Sequence, residues 1–173
     1  MLRQIALILM LCPALVFAKP AAPDIAPPLG TVTFGIFCTI AVSGQTDAPG
    51  TLTGFIHTVD EAPGFDWSGQ RTVPASLGIA FGVKAQTTLG TSVPFAVMHV
   101  FRPGRPLPDV WTAGFDDTDP SFAFFRFDTE AELIPGLWAF EAWDAGKRLY
   151  RVEFEIVPAD QAIGIASACG GVS

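Results

Sequence analysis

Apolar and polar positions alternate along most of this chain with the period of two that half-buried strands require. Thr31–Val42 sets Val32, Phe34, Ile36, Cys38, Ile40 and Val42 on one face and Thr31, Thr33 and Thr39 on the other. Thr51–Val59 reads as a second strand, after a turn at Ser43–Gly50. In Leu77–Ala85, Leu77, Ile79, Phe81, Val83 and Ala85 share a face opposite Gly78, Ala80 and Gly82, so something packs closely on the small side. Val93–Phe101 is apolar on both faces, as a central strand would be, and His99 falls in line with Phe95, Val97 and Phe101. That placement predicts a core histidine. The Pro-rich Arg102–Pro108 ends the strand, and Asp109–Phe115 predicts a short edge strand around Trp111. Ser121–Asp128 turns Ala123, Phe125 and Phe127 inward.

The clearest pairing lies in the hairpin that follows. Trp138, Phe140 and Ala142 face one way on its first strand, and Tyr150, Val152, Phe154 and Ile156 on its second. A three-residue loop Asp144-Ala145-Gly146, with Gly146 left-handed, sets Trp143 opposite Lys147 and Phe140 opposite Tyr150. A loop one residue longer would set Phe140 opposite Arg151 and mix the faces, so the pattern selects the shorter loop.

Seven or eight mainly antiparallel strands result, with no convincing helix and with turn signals about every ten residues, the spacing of a β-sandwich. Composition agrees: half of the residues are hydrophobic, and Gly 17 and Pro 15 suit many short strands joined by turns. The formal charge of −7 repels phosphates, which argues against nucleic acid and anionic membrane surfaces as partners.

The ends read differently. Residues 1–18 have Arg3, an apolar run Ile5–Val16 and the small-residue pattern Val16-Phe17-Ala18, a secretory signal with cleavage before Lys19. The run is too short and wrongly flanked for a stable membrane span. Residues 19–29 form a Pro/Ala-rich, mobile lead-in, residues 30–158 the sandwich, and residues 159–173 a small, apolar tail. After cleavage, Cys38 and Cys169 remain. An even count in an exported chain favours a disulfide between them, against the alternative of two buried free thiols.

Three stretches carry a resemblance. VPASLGIAFGVK (Val73–Lys84), VMHVFRPG (Val97–Gly104) and FDTEAELIPGLWAFEAWDAGKRL (Phe127–Leu149) resemble a family of short, mostly secreted bacterial proteins known as domain of unknown function 3859. The similarity spans Gly30–Val157, and Glu132–Phe140 is its most specific part. It implies an immunoglobulin-like β-sandwich outside the cytoplasm and assigns no catalytic residue.

The chemistry-bearing residues are sparse. His57 and His99 are the only imidazoles, and no GxSxG nucleophile elbow accompanies them. Asp116, Asp117 and Asp119 offer hard oxygens, but Pro120 follows and no acidic residue closes a calcium loop. Glu130 and Glu132 flank a turn between strands, and Gly78–Gly82 lacks the Lys-Ser/Thr of a phosphate loop. Two cysteines and two distant histidines have no metal spacing, so no metal or other cofactor is expected. Phe122 and Phe124 point outward if Phe125 and Phe127 point inward. With Arg126 they form a candidate partner surface, unless a neighbouring loop, such as that around Trp111, covers them. The pattern thus favours a non-catalytic binding or structural module of the envelope, with an envelope protein or peptide as partner. The alternative is a hydrolase or protease inhibitor on the same sandwich, with His57 or His99 in its site.

Overall fold

The computed structural model describes residues 19–170; the signal-like stretch 1–18 lies outside the described residues. Twelve strands follow in order: β1 (Asp24–Ile25), β2 (Leu29–Phe37), β3 (Gly44–Asp47), β4 (Phe55–Thr58), β5 (Trp67–Ser68), β6 (Thr72–Ala75), β7 (Ala80–Thr87), β8 (Val93–Phe101), β9 (Asp109–Phe115), β10 (Ser121–Arg126), β11 (Gly136–Asp144) and β12 (Lys147–Pro158). Among the described residues one short α-helix, α1 (Ile163–Ala168), follows β12.

Two sheets face each other. One runs β9-β8-β11-β12, with β1 and β6 both on the far flank of β12; the other runs β10-β7-β2-β5. All pairings are antiparallel except β6 with β12. Strands β7 and β8 are consecutive yet lie in different sheets, as do β10 and β11, which is the Greek-key crossover of an immunoglobulin-like sandwich. The protein is therefore all-β in architecture. A separate hairpin, β3-β4, stands outside both sheets.

The core follows the alternation. Phe81 sits at its centre, with the rings of Phe154, Phe127, Trp138 and Phe140 at 5.0, 5.5, 5.6 and 5.7 Å. Trp138 satisfies its one donor by giving Nε1–H to the Ile134 carbonyl at 3.0 Å. On the other face of β7, Ala80 is fully buried under a second apolar layer of Phe37, Ile40, Phe122 and Phe124, the close packing that the small residues predict.

Several expectations are corrected. The hairpin turn has two residues, Ala145 (φ 45°) and Gly146 (φ 79°), both left-handed, and pairs Asp144 with Lys147. Those angles belong to a type I′ turn. Alone, this turn would put the core positions of the two strands on opposite faces. A bulge at Leu149 shifts the register by one and restores the match, so Phe140 faces Val152, not Tyr150, and Trp138 faces Phe154. The buried set is unchanged because the net slip is two residues.

Strand β2 stops at Phe37, short of Val42: the Cys38 N–H leaves the ladder to donate to Asp66 Oδ2 at 2.8 Å, and Ile40 turns into the second apolar layer. The expected turn and strand at 43–59 form the hairpin β3-β4 instead. Leu77 precedes β7 in a turn and is exposed. His99 is not a core residue. Strand β8 buries Ala96, Met98 and Val100, which leaves Phe95, Val97, His99 and Phe101 on the outer face of the sheet.

The lead-in is fastened to the domain rather than free of it. β1 pairs with β12, Ala21 N–H donates to Glu153 Oε2 at 2.8 Å, and Arg148 meets Asp24 at 2.7 Å. The tail is ordered through α1, which buries Ile165 and Ala166. Cys169 is bonded to Cys38, with Cα atoms 4.6 Å apart, so the tail is pinned beside the first long strand.

Candidate functional site

The two sheets part where their edge strands β9 and β10 meet, and the β3-β4 hairpin lies across the gap. Beneath it is a cleft of about 360 Å³. Its walls are mostly apolar: Leu52, Phe55 and Ile56 from the hairpin side, Val100 and Trp111 from one sheet, Phe124 and Phe125 from the other. Alternation explains the contribution of β9, whereas β4 and β10 each line the cleft with three consecutive residues at their ends. Trp111 pairs with the buried Met98 and so points inward at an uncovered edge.

Charged groups in the cleft hold one another. Arg102 and Asp109, at the two ends of the Pro-rich loop, form an ion pair at 2.5 Å, with side chains only 4% and 9% exposed. The Arg102 guanidinium lies 5.4 Å from the Phe125 ring centre and 5.7 Å from that of Trp138. Burial pulls the Arg102 pKa down, opposed chiefly by Asp109. Asp109 also accepts from the Leu52 N–H at 2.9 Å, which ties the loop before β4 to β9.

At the opposite lip, Asp128 accepts from Arg126 Nε at 2.5 Å and lies 3.0 Å from His57 Nε2. Burial works against its charge, but the bonds from Arg126 and His57 outweigh it and hold the carboxyl below its usual range. Glu132 Oε2 accepts the N–H groups of Asp128 and Thr129 at 2.7 and 2.9 Å, which fixes the turn behind the lip.

The expected site residues divide. Phe124 and Arg126 line the cleft. Phe122 stacks on Phe124 at 4.8 Å but lies outside the cleft, in a wider groove with Asp60, Glu61 and Asp119. Phe122 and Phe65 both pack on Phe37, at 5.4 and 4.6 Å, while Phe124 shares the cleft with Trp111, which lies in β9 rather than in a loop. Lys84 bonds the Ala62 and Pro63 carbonyls and sits 4.9 Å from the Phe65 ring centre and 5.5 Å from that of Phe122. Desolvation there lowers the Lys84 pKa.

His57 stands in the cleft, whereas His99 lies on the outer sheet face, 6.4 Å from the Trp143 ring. Asp116 Oδ1 accepts from Thr118 N, Thr118 Oγ1 and Asp119 N, and those bonds from the turn hold its pKa low. Glu130 is exposed on a single 3₁₀ turn. Among the described residues, no group of three or more His, Cys, Asp or Glu is placed to hold a metal ion, and no helix is long and apolar enough to cross a membrane.

Sequence reasoning missed Arg102, Asp109 and Asp128. The available signal was opposite charges at the two ends of one Pro-rich loop. It also missed Glu141, on an outward position of β11 yet 3% exposed, where it accepts from Trp143 Nε1 at 2.7 Å and pairs with Arg151. Burial opposes the charge of Arg151, but its bonds to Glu141 and Glu153 raise its pKa overall.

No family model matches the chain, and no curated protein matches it. Among solved structures, the chain is similar to an immunoglobulin-like protein (PA1606) from Pseudomonas aeruginosa. The likeness has 16% identity and a TM-score of 0.49, over 79% of this chain and 98% of that one.

Proposed function

We propose that this chain is an exported, non-catalytic binding module of the cell envelope, a reading supported by the signal-like start, the sandwich, the acidic charge and the missing catalytic signature. In this reading it takes an apolar part of a protein or peptide partner into the cleft beneath the β3-β4 hairpin. The cleft itself carries the reading: apolar walls surround charges that already have partners, so an apolar group enters without stranding an ion. The Cys38–Cys169 bond supports a place in an oxidising compartment, and the formal charge of −7 supports a partner that is not anionic. Phe124 and Arg126 belong to the binding surface, with Phe122 at its margin.

The hydrolase reading is kept by one observation, His57 beside Asp128 in an open cleft. A triad would need a nucleophile on the other ring nitrogen, and His57 Nδ1 is buried with no hydrogen-bond partner among the described residues.

The test is a displayed nine-residue peptide library panned on the oxidised chain from residue 19. Trp111→Ala and Phe55→Ala should each weaken the selected peptides at least tenfold, and Ile163→Ser, on the exposed side of α1, should leave them unchanged. Selected peptides that ignore both cleft variants would overturn the reading.

A further inference from the structure

Strand β9 is an edge whose backbone is half used. One flank is paired along β8. On the other, within β9 the described residues supply one bond, from the Val110 N–H to the Gly50 carbonyl at 3.0 Å, and just past the strand the Asp116 carbonyl accepts from the Thr87 N–H at 2.9 Å. Glycine is required at 50, because a Cβ there would collide with the Val110 carbonyl oxygen. Alternate residues of a strand present their N–H and C=O to the same flank. Thr112 and Gly114 therefore point the way Val110 points. Both are exposed, and among the described residues no hydrogen bond is made to them on that side.

Most other edges carry a guard that β9 lacks: β10 ends in Arg126, whose guanidinium bonds the Ile40 carbonyl and Asp128, and β3 and β4 have only four residues each. β1 and β5 have two residues each, and β6 carries Pro74. β9, DVWTAGF, is seven residues long with no Lys, Arg or Pro.

Resting on the binding-module reading above, we propose that β9 is a strand-addition site. An extended segment of a partner protein pairs with the free flank at Thr112 and Gly114, continuing the line that Gly50 begins. Alternate side chains of the added strand enter the cleft beside Trp111. The intervening ones lie on the outer face near Phe95 and Val97, where Phe95 is 77% exposed. The charge of the surroundings sets the rest of the chemistry. Asp116 and Asp117 follow one end of β9, Glu132 and the Asp128–Arg126 pair stand across the cleft from the other, and the chain as a whole carries a formal charge of −7. The segment is accordingly apolar at alternate positions and flanked by Lys or Arg. A second copy of this chain fits poorly, since it would bring a molecule of formal charge −7 against itself at an edge bounded by acid.

The experiment uses the oxidised chain from residue 19 and a displayed library of nine-residue segments with Lys at both ends and apolar residues at alternate positions. A selected peptide is synthesised plain and N-methylated on alternate amides. Methylation along one edge should weaken binding at least tenfold, while methylation along the other edge leaves it unchanged. Thr112→Pro should cause a similar loss at unchanged Tm, because the N–H it removes has no partner on the free flank. Binding that needs Trp111 and Phe55 but ignores N-methylation and Thr112→Pro overturns strand addition and leaves the cleft reading standing. Loss with Thr112→Pro but not with Trp111→Ala or Phe55→Ala does the reverse. Failure to recover any peptide overturns the proposal. So does a concentration-dependent dimer abolished by Thr112→Pro, which would assign the edge to a second copy.

Discussion

Arg102 and Asp109 meet at 2.5 Å beneath the cleft, enclosed by the rings of Phe125 and Trp138. They join the end of β8 to the start of β9 and so fix the edge strand that borders the site. Removing one partner leaves a buried charge uncompensated. Asp109→Ala should cost about 3–5 kcal/mol, while a double replacement by apolar residues of similar volume should recover most of that. Urea unfolding of the single and double variants measures both. A single variant within about 1 kcal/mol of wild type would show that the pair is solvated.

The disulfide closes a loop across a sequence separation of 131 residues. In the chain-entropy account a loop of that order contributes about 4–5 kcal/mol, with measured values often lower. Cys38→Ser with Cys169→Ser should lower Tm clearly and expose the tail from α1 onward to limited proteolysis. Non-reducing peptide mapping should recover the Cys38 and Cys169 peptides joined; an alkylated Cys169 in unreduced, denatured protein would contradict the bond.

Acid should loosen the lead-in. Burial opposes the charge of Glu153, but the Ala21 N–H and Arg151 outweigh it and hold its pKa below the usual value of 4.5. A carboxyl held low in the folded state contributes stability that is complete above its unfolded pKa and is lost as pH falls through the folded one. The Glu153 contribution should therefore be constant near neutrality, begin to fall below about pH 4.5, and be gone once the pH has passed below the depressed folded-state pKa. Glu153→Gln should cost about 1–2 kcal/mol at pH 7, and its Tm should converge on wild type in acid. A constant difference in Tm across that range would contradict the assignment.

The β11-β12 turn is open to a test in the stabilising direction. Ala145 holds φ 45°, a region that Asn and Gly occupy at less cost. Ala145→Asn should gain about 0.5–1 kcal/mol, and Gly146→Ala should lose about 1 kcal/mol. A loss on Ala145→Asn would favour the three-residue loop.

Period-two alternation made most of the fold legible. It placed Phe81, Trp138, Phe140 and Phe154 in one core without any knowledge of the turn. It could not choose between registers two residues apart, because those bury the same side chains; Phe140 facing Val152 depends on a bulge that leaves no mark in the pattern. His99 failed for a related reason. Phe95, Val97 and Phe101 look like a core stripe, but on this sheet the opposite stripe of Ala96, Met98 and Val100 is the enclosed one. The site was legible only at its margin, through Phe124 and Arg126. Arg102, Asp109 and Asp128 are brought together with them by loops and strand ends whose course alternation does not encode.

The central claim, that a partner enters the cleft bordered by β9, is tested most directly by hydrogen–deuterium exchange. The oxidised chain would be compared alone and saturated with a peptide selected from the library. The account predicts slowed exchange in residues 51–57, 109–115 and 124–132, with the rest of the domain unchanged. Protection confined to other segments, such as the lead-in at 19–29 or α1, would contradict it.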